Sequence, residues 1–104
     1  MAEYVLAITT CPPSKADAIA MRLVESKTCA CVNIVSRIKS IYHWKGNIET
    51  DTESILLLKT EKGQTEALWE VLKETHPYDV PEFIVIPIIH GAPDYLSWIS
   101  DSIS

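Results

Sequence analysis

From Val32 to Thr60 the chain alternates between apolar and polar positions. Val32, Ile34, Ile38, Tyr42 and Trp44 fall on even positions, while Asn33, Arg37, Lys39, His43 and Lys45 fall on odd ones. A period of two predicts a half-buried strand. The turn is Lys45-Gly46-Asn47, and Gly46 suits the first central position of a II′ hairpin turn. With Lys45 opposite Ile48, the expected pairs are Trp44 with Glu49, Tyr42 with Asp51 and Ser40 with Glu53, unless a bulge breaks the register. The return strand contains the run Ile55-Leu56-Leu57-Leu58, which predicts burial on both faces, and carries Glu49, Asp51 and Glu53 towards the tip. About 14 residues at roughly 3.3 Å each make an arm of about 45 Å. A compact domain of about 100 residues has a diameter of about 35 Å. The tip should therefore overhang its own core, and an overhanging apolar ribbon invites a partner.

The flanking segments complete a fold. Tyr4 to Thr10 reads as a buried strand that stops at Cys11-Pro12-Pro13. Ser14 with Asp17 resembles a capping box. Ala16, Ile19, Ala20, Leu23 and Val24 then mark one helix face, ending near Lys27-Thr28. A second helix opens at Gly63 to Thr65 with Leu68 and Leu72 inward, joined by Trp69 or Val71. It ends before Pro77, because proline disfavours helical geometry in the residue before it. Phe83 to Ile89 is the last strand, and Pro87 inside it predicts an edge or a bulge. Asp94 leads a terminal helix in which Tyr95, Trp98 and Ile99 share a face. The order β-α-β-β-α-β plus a helical tail predicts an α+β, ferredoxin-like domain over residues 1–104, with both helices on one sheet face. The other face is left open and calls for cover.

Composition narrows the function classes. The 104 residues are 47% hydrophobic and 22% charged, an ordinary globular balance. A net charge of −5 excludes a binder of nucleic-acid backbone, which needs a basic stripe. No apolar run approaches a membrane span, and Met1-Ala2-Glu3-Tyr4 has none of the basic and apolar pattern of a signal peptide. Cys11, Cys29 and Cys31 make an odd set without framework spacing. Reduced thiols in a cytoplasmic protein are the expectation. No nucleophile elbow, phosphate loop or zinc-protease motif occurs, so no enzyme activity is expected.

Four motifs carry a resemblance. Ser40 to Glu49 (Ser-Ile-Tyr-His-Trp-Lys-Gly-Asn-Ile-Glu), Glu53 with Leu58-Lys59-Thr60, His76-Pro77-Tyr78-Asp79-Val80-Pro81-Glu82, and Tyr95-Leu96-Ser97-Trp98-Ile99 are similar, in order and spacing, to the CutA divalent-ion tolerance family. The resemblance implies a ferredoxin-like subunit in a homotrimer of PII-like architecture. It also implies a cytoplasmic role in tolerance of copper and other divalent metals, by binding or sensing them. Its alternative is a PII-like signalling or adaptor trimer that takes a small anionic ligand or a protein partner between subunits. Animal relatives are associated with anchoring at membranes, for which this chain lacks the hydrophobic N-terminal extension.

The resemblance also points to residues. It implies that Trp44, Glu53, Lys59, His76, Tyr78, Glu82, Tyr95 and Trp98 gather in a cleft near subunit contacts, with Tyr42 and Trp44 as trimer contacts. Carboxylates, a lysine and rings converging in a cleft suit a small ligand or an ion. For a metal, the candidates are His76, Glu82 and Cys11, and the cofactor would be copper or another divalent ion. The relatives' proposed copper ligands fall on positions that here hold Thr9 and Thr75, and only His76 matches. A histidine ahead of a proline also fits a helix end, hydrogen-bonded to backbone. Cys11, at a strand end, is expected to be less buried than Cys29 and Cys31.

Overall fold

A computed structural model describes residues 2–104; Met1, which opens the expected domain and leaderless start, lies outside them. The chain runs β1 (Tyr4–Cys11), α1 (Ala16–Glu25), β2 (Cys31–Trp44), β3 (Asn47–Glu61), α2 (Thr65–Thr75), β4 (Ile84–Ile88) and α3 (Pro93–Ile103). The strands form one antiparallel sheet in the order β2-β3-β1-β4. This is the ferredoxin-like α+β plan with its long hairpin and terminal helix. The start of α1 differs from expectation. Pro12 and Pro13 preset φ, and Pro13–Lys15 forms a 3-10 turn in which Lys15 N–H reaches the Pro12 carbonyl at 2.9 Å. Ser14 lies inside that turn, and α1 begins at Ala16 with no side-chain cap. At the other helix, His76 is extended with ψ 132°, as a residue ahead of proline should be.

The core sits between the sheet and α1 with α2. Along β1 every second residue is buried, so Val5, Ala7, Thr9 and Cys11 face the helices. Leu56 and Leu58 of β3, Ile19 and Leu23 of α1, and Leu68 and Leu72 of α2 meet them there, with Val32 and Ile34 of β2 at the margin. Each fully buried leucine contributes about 1.5–3 kcal/mol over an exposed one. Cys11 corrects an expectation: its relative exposure is zero, because it shares the phase of Val5 and Ala7.

The hairpin turns on two residues, Lys45 and Gly46, both at positive φ (49° and 83°). That is I′ geometry, with Gly46 in the second central place, and its twist matches the flanking strands. Trp44 therefore faces Asn47, Tyr42 faces Glu49, Ser40 faces Asp51 and Ile38 faces Glu53, two positions from the expected register. Lower down, the pairing slips between Val35 and Ile38, where β2 carries one extra residue and Arg37 adopts φ 57°. A bulge of one residue reverses the phase of every side chain beyond it. Val32 and Ile34 pair with Leu58 and Leu56 over the core, whereas Ile38, Tyr42 and Trp44 stand on the opposite face with Glu53 and Glu49. The even stripe read from the sequence is one pattern serving two faces.

The second face of the sheet is partly covered. Near Tyr4, α3 crosses it: Ser100 Oγ donates to Glu61 at 2.6 Å and lies 2.6 Å from the Tyr4 hydroxyl, and Ile99 and Ile103 are buried. Beyond α3 the face is apolar and open, with Leu6, Ile8, Ile55 and Leu57 half-buried and Val35, Ile84 and Ile86 exposed. Strand β4 is an edge strand, and Pro87 sits within it, as the missing N–H predicts.

Candidate functional site

A groove of about 660 Å³ runs between the hairpin tip and the segment 77–82. Its strand wall exists because the bulge turns Ser40, Tyr42 and Trp44 towards the side that carries Asp51 and Glu53. Its other wall is Pro77, Tyr78, Asp79, Val80 and Glu82, held close by the stop that Pro77 imposes on α2. Four carboxylates and three aromatic rings line it, and among the described residues no lysine or arginine does. Glu53 is 6% exposed, and the Tyr78 hydroxyl donates to its Oε2 at 2.8 Å. Nearer the tip, the Tyr42 hydroxyl donates to Asp51. That bond, with the surrounding negative charge, holds the Tyr42 phenol up at about 12. Burial, then the bond to Glu53, raises the Tyr78 phenol as well. Glu82 is also raised, first by burial and then by the charge of Glu53. The groove is a place of uncompensated negative charge.

His76 lies beneath this wall, 8% exposed. Its Nε2 is 2.8 Å from the Thr10 carbonyl, its Nδ1 accepts the Tyr78 N–H at 3.2 Å, and its ring meets the Tyr78 ring at 4.8 Å. The backbone-bonded helix end expected as the plainer role of His76 is what stands there. Cys11 is buried, and burial with the nearby Glu53 charge pushes its thiol up to about 11. Among the described residues no three His, Cys, Asp or Glu side chains converge as metal ligands. The donor set of His76, Glu82 and Cys11 does not fit a copper centre.

The remaining expected cleft residues lie elsewhere in the same chain. Lys59 is six positions along β3 from Glu53, about 20 Å at strand spacing. Its Nζ lies 3.3 Å from the Tyr95 hydroxyl and 5.5 Å from the centre of that ring. Tyr95 stacks on Trp98 with centroids 5.5 Å apart, and both rings are more than 40% exposed. One chain thus brings together Trp44, Glu53, Tyr78 and Glu82 with His76 beneath, and separately Lys59, Tyr95 and Trp98. Asp51 and Asp79 were missed as groove residues. Asp51 shares the strand parity of Glu53, a signal already present in the alternation.

A ferredoxin-like sheet with an overlong hairpin and a groove at its tip defines a PII-like class of α+β protein. Residues 5–102 match the CutA1 divalent ion tolerance protein family, and the chain belongs to that family. It is 48% identical over 96 residues to a CutA homolog of Xenopus laevis, covering 91% of this chain and 64% of that one. It spans 52–64% of the length of the first animal relatives it matches. Among solved structures, CutA1 from Ehrlichia chaffeensis superposes with a TM-score of 0.94 at 32% identity, over 100% of this chain and 98% of that one. A PII-like CutA from Nostoc sp. PCC 7120 superposes at 0.90 with 33% identity, over 96% and 97%.

The cytoplasmic expectation is corrected by two relatives. One, 43% identical over 81% of this chain and 46% of its own length, is the chloroplastic CutA of Arabidopsis thaliana. The other is described as a periplasmic CutA, from Archaeoglobus fulgidus, with a TM-score of 0.93 at 35% identity over 97% and 99% of the two chains. Reduced cysteines and a plain start do not fix a compartment for this fold. Among the described residues, no helix is long and apolar enough to cross a membrane.

Proposed function

We propose that this chain works in divalent-ion tolerance as a homotrimer, with residues 1–104 acting as one unit and Tyr42 and Trp44 clasping identical neighbours. The observation that carries this reading is the open apolar face bounded by α3 and the groove, where Val35 is 42% exposed and Ile84 52%. A sheet face of that kind calls for cover, and a domain this small gains stability by assembling. The two halves of the expected cleft carry opposite charge, which favours the Lys59, Tyr95 and Trp98 end of one copy against the Glu53, Tyr78 and Trp44 groove of the next.

The joined cleft receives a small ligand or a protein segment, and tolerance follows from adaptor behaviour of the PII-like kind, without a catalysed reaction. The bonded ring of His76 and the buried thiol of Cys11 favour this reading over copper held by the chain itself. Light scattering tests the assembly: the expected mass is three chains, and a stable monomer overturns it. Lys59→Glu then separates assembly from ligand capture. It should weaken the trimer if Lys59 meets the groove, and an unchanged trimer places Lys59 elsewhere.

A further inference from the structure

We infer that His76 is a latch that positions Tyr78 over Glu53, and that this chain holds no thiolate–imidazole copper centre at that residue. The Thr10 carbonyl can only accept, so the proton of the ring sits on Nε2 and is donated across 2.8 Å. Nδ1 then presents a lone pair, and the Tyr78 N–H fills it at 3.2 Å. A metal-bound histidine commonly gives its second N–H to a carbonyl, so the Nε2 contact alone would suit a metal on Nδ1. The lone pair of Nδ1 is already spent. A metal there must evict the Tyr78 N–H, and with it the phenol that donates to Glu53 at 2.8 Å. Eviction would strip a donor from a carboxylate that is 6% exposed.

The surroundings offer a metal little in return. Cys11 is fully buried, and among the described residues no three His, Cys, Asp or Glu side chains converge as ligands. The ring instead ties three elements: the end of α2, the end of β1 through Thr10, and the segment that walls the groove. His76 is a positioning residue. It sets where Tyr78 stands, and Tyr78 sets how Glu53 faces the groove.

Long-range proton–nitrogen NMR of the His76 ring tests this on the intact protein, titrated with Cu(I) and separately with Zn(II). The expected result is the Nε2–H tautomer with both ring nitrogens unmoved at one metal per chain. Movement of either nitrogen with metal would overturn the inference. Three variants test the latch. His76→Asn offers a carbonyl where Nδ1 accepted, His76→Gln offers an amide N–H where Nε2 donated, and His76→Phe offers neither. The Tyr78 amide should stay protected from hydrogen exchange in His76→Asn and lose that protection in His76→Phe. Unchanged protection of the Tyr78 amide in His76→Phe would sink the latch. Copper affinity should match wild type in all three, whereas loss of a true ligand would weaken it by about tenfold or more. If His76→Phe fails to fold, His76→Gln, which likewise offers no acceptor to the Tyr78 N–H, should lose the same protection, and full protection there overturns the latch.

Discussion

The β2–β3 ribbon has two halves, divided by the bulge at Arg37. In the base, Val32 and Ile34 lie against Leu58 and Leu56, and the residues that matter are apolar and covered by helices. In the tip, Ile41, Ile48 and Trp44 are 66%, 71% and 43% exposed, and the contacts are hydroxyl to carboxylate. The same two strands thus hold the fold at one end and present chemistry at the other. One inserted residue marks the change. Because β2 keeps one parity of apolar positions throughout, it needs an extra residue midway: a regular strand of the same sequence would point the tip's rings to the helix side.

Truncation should break this comparison most visibly. Leu58→Ala in the base is expected to cost about 2–5 kcal/mol of stability, and Ile41→Ala in the tip less than about 0.5 kcal/mol. Denaturant melts of both would refute the division if the costs were equal. Deleting Arg37 should come next. Removing the extra residue leaves Val35 opposite Ile55 and Ile38 opposite Glu53, so Tyr42 and Trp44 keep their face while the bend of the bulge is lost, at a cost on the order of 1–3 kcal/mol. Trp44 fluorescence should change little while the melting temperature falls, and a Trp44 moved into an apolar, helix-side environment would show that pairing with β3 does not set the face of the tip.

Thr9→Val is a smaller effect with the opposite sign. Thr9 Oγ1, on β1 beside Leu56 of the base, is buried without a hydrogen-bond partner among the described residues. A methyl of the same shape should stabilise by about 1 kcal/mol, read as a higher melting temperature. The smallest effect concerns Glu82. Its carboxyl is raised in the folded protein, so the neutral form is favoured there. That contribution is full below the unfolded carboxylate value and is lost as pH rises through the folded one. Glu82→Gln should therefore melt slightly higher than wild type at pH 7 and alike at pH 4. A gain of equal size at both would mean the charge is not the cause.

Much of the fold was legible because periodicity and proline are local signals. Pro77 closed α2, Pro87 marked an edge strand, and the spacing of Leu68 and Leu72 fixed a helix face. The phase change at Arg37 was not legible. Val32 and Trp44 carry the same parity, and an alternating pattern reads the same whichever face it serves. The groove was half legible. Tyr78 and Glu53 were named by resemblance, but their bond depends on the bond of His76 to Thr10, a contact between residues 66 apart in sequence. The separation of Lys59 from Glu53 was measurable from strand spacing alone, six residues on one strand being about 20 Å. A cleft shared by both cannot be built within a single ribbon.

Pro87 has a further consequence. Strand β4 leaves one flank of the sheet unpaired, and an unpaired flank is a template on which further strands can stack without limit. A residue that cannot donate interrupts that template near its middle. Growth end to end as a fibre is discouraged at the same place.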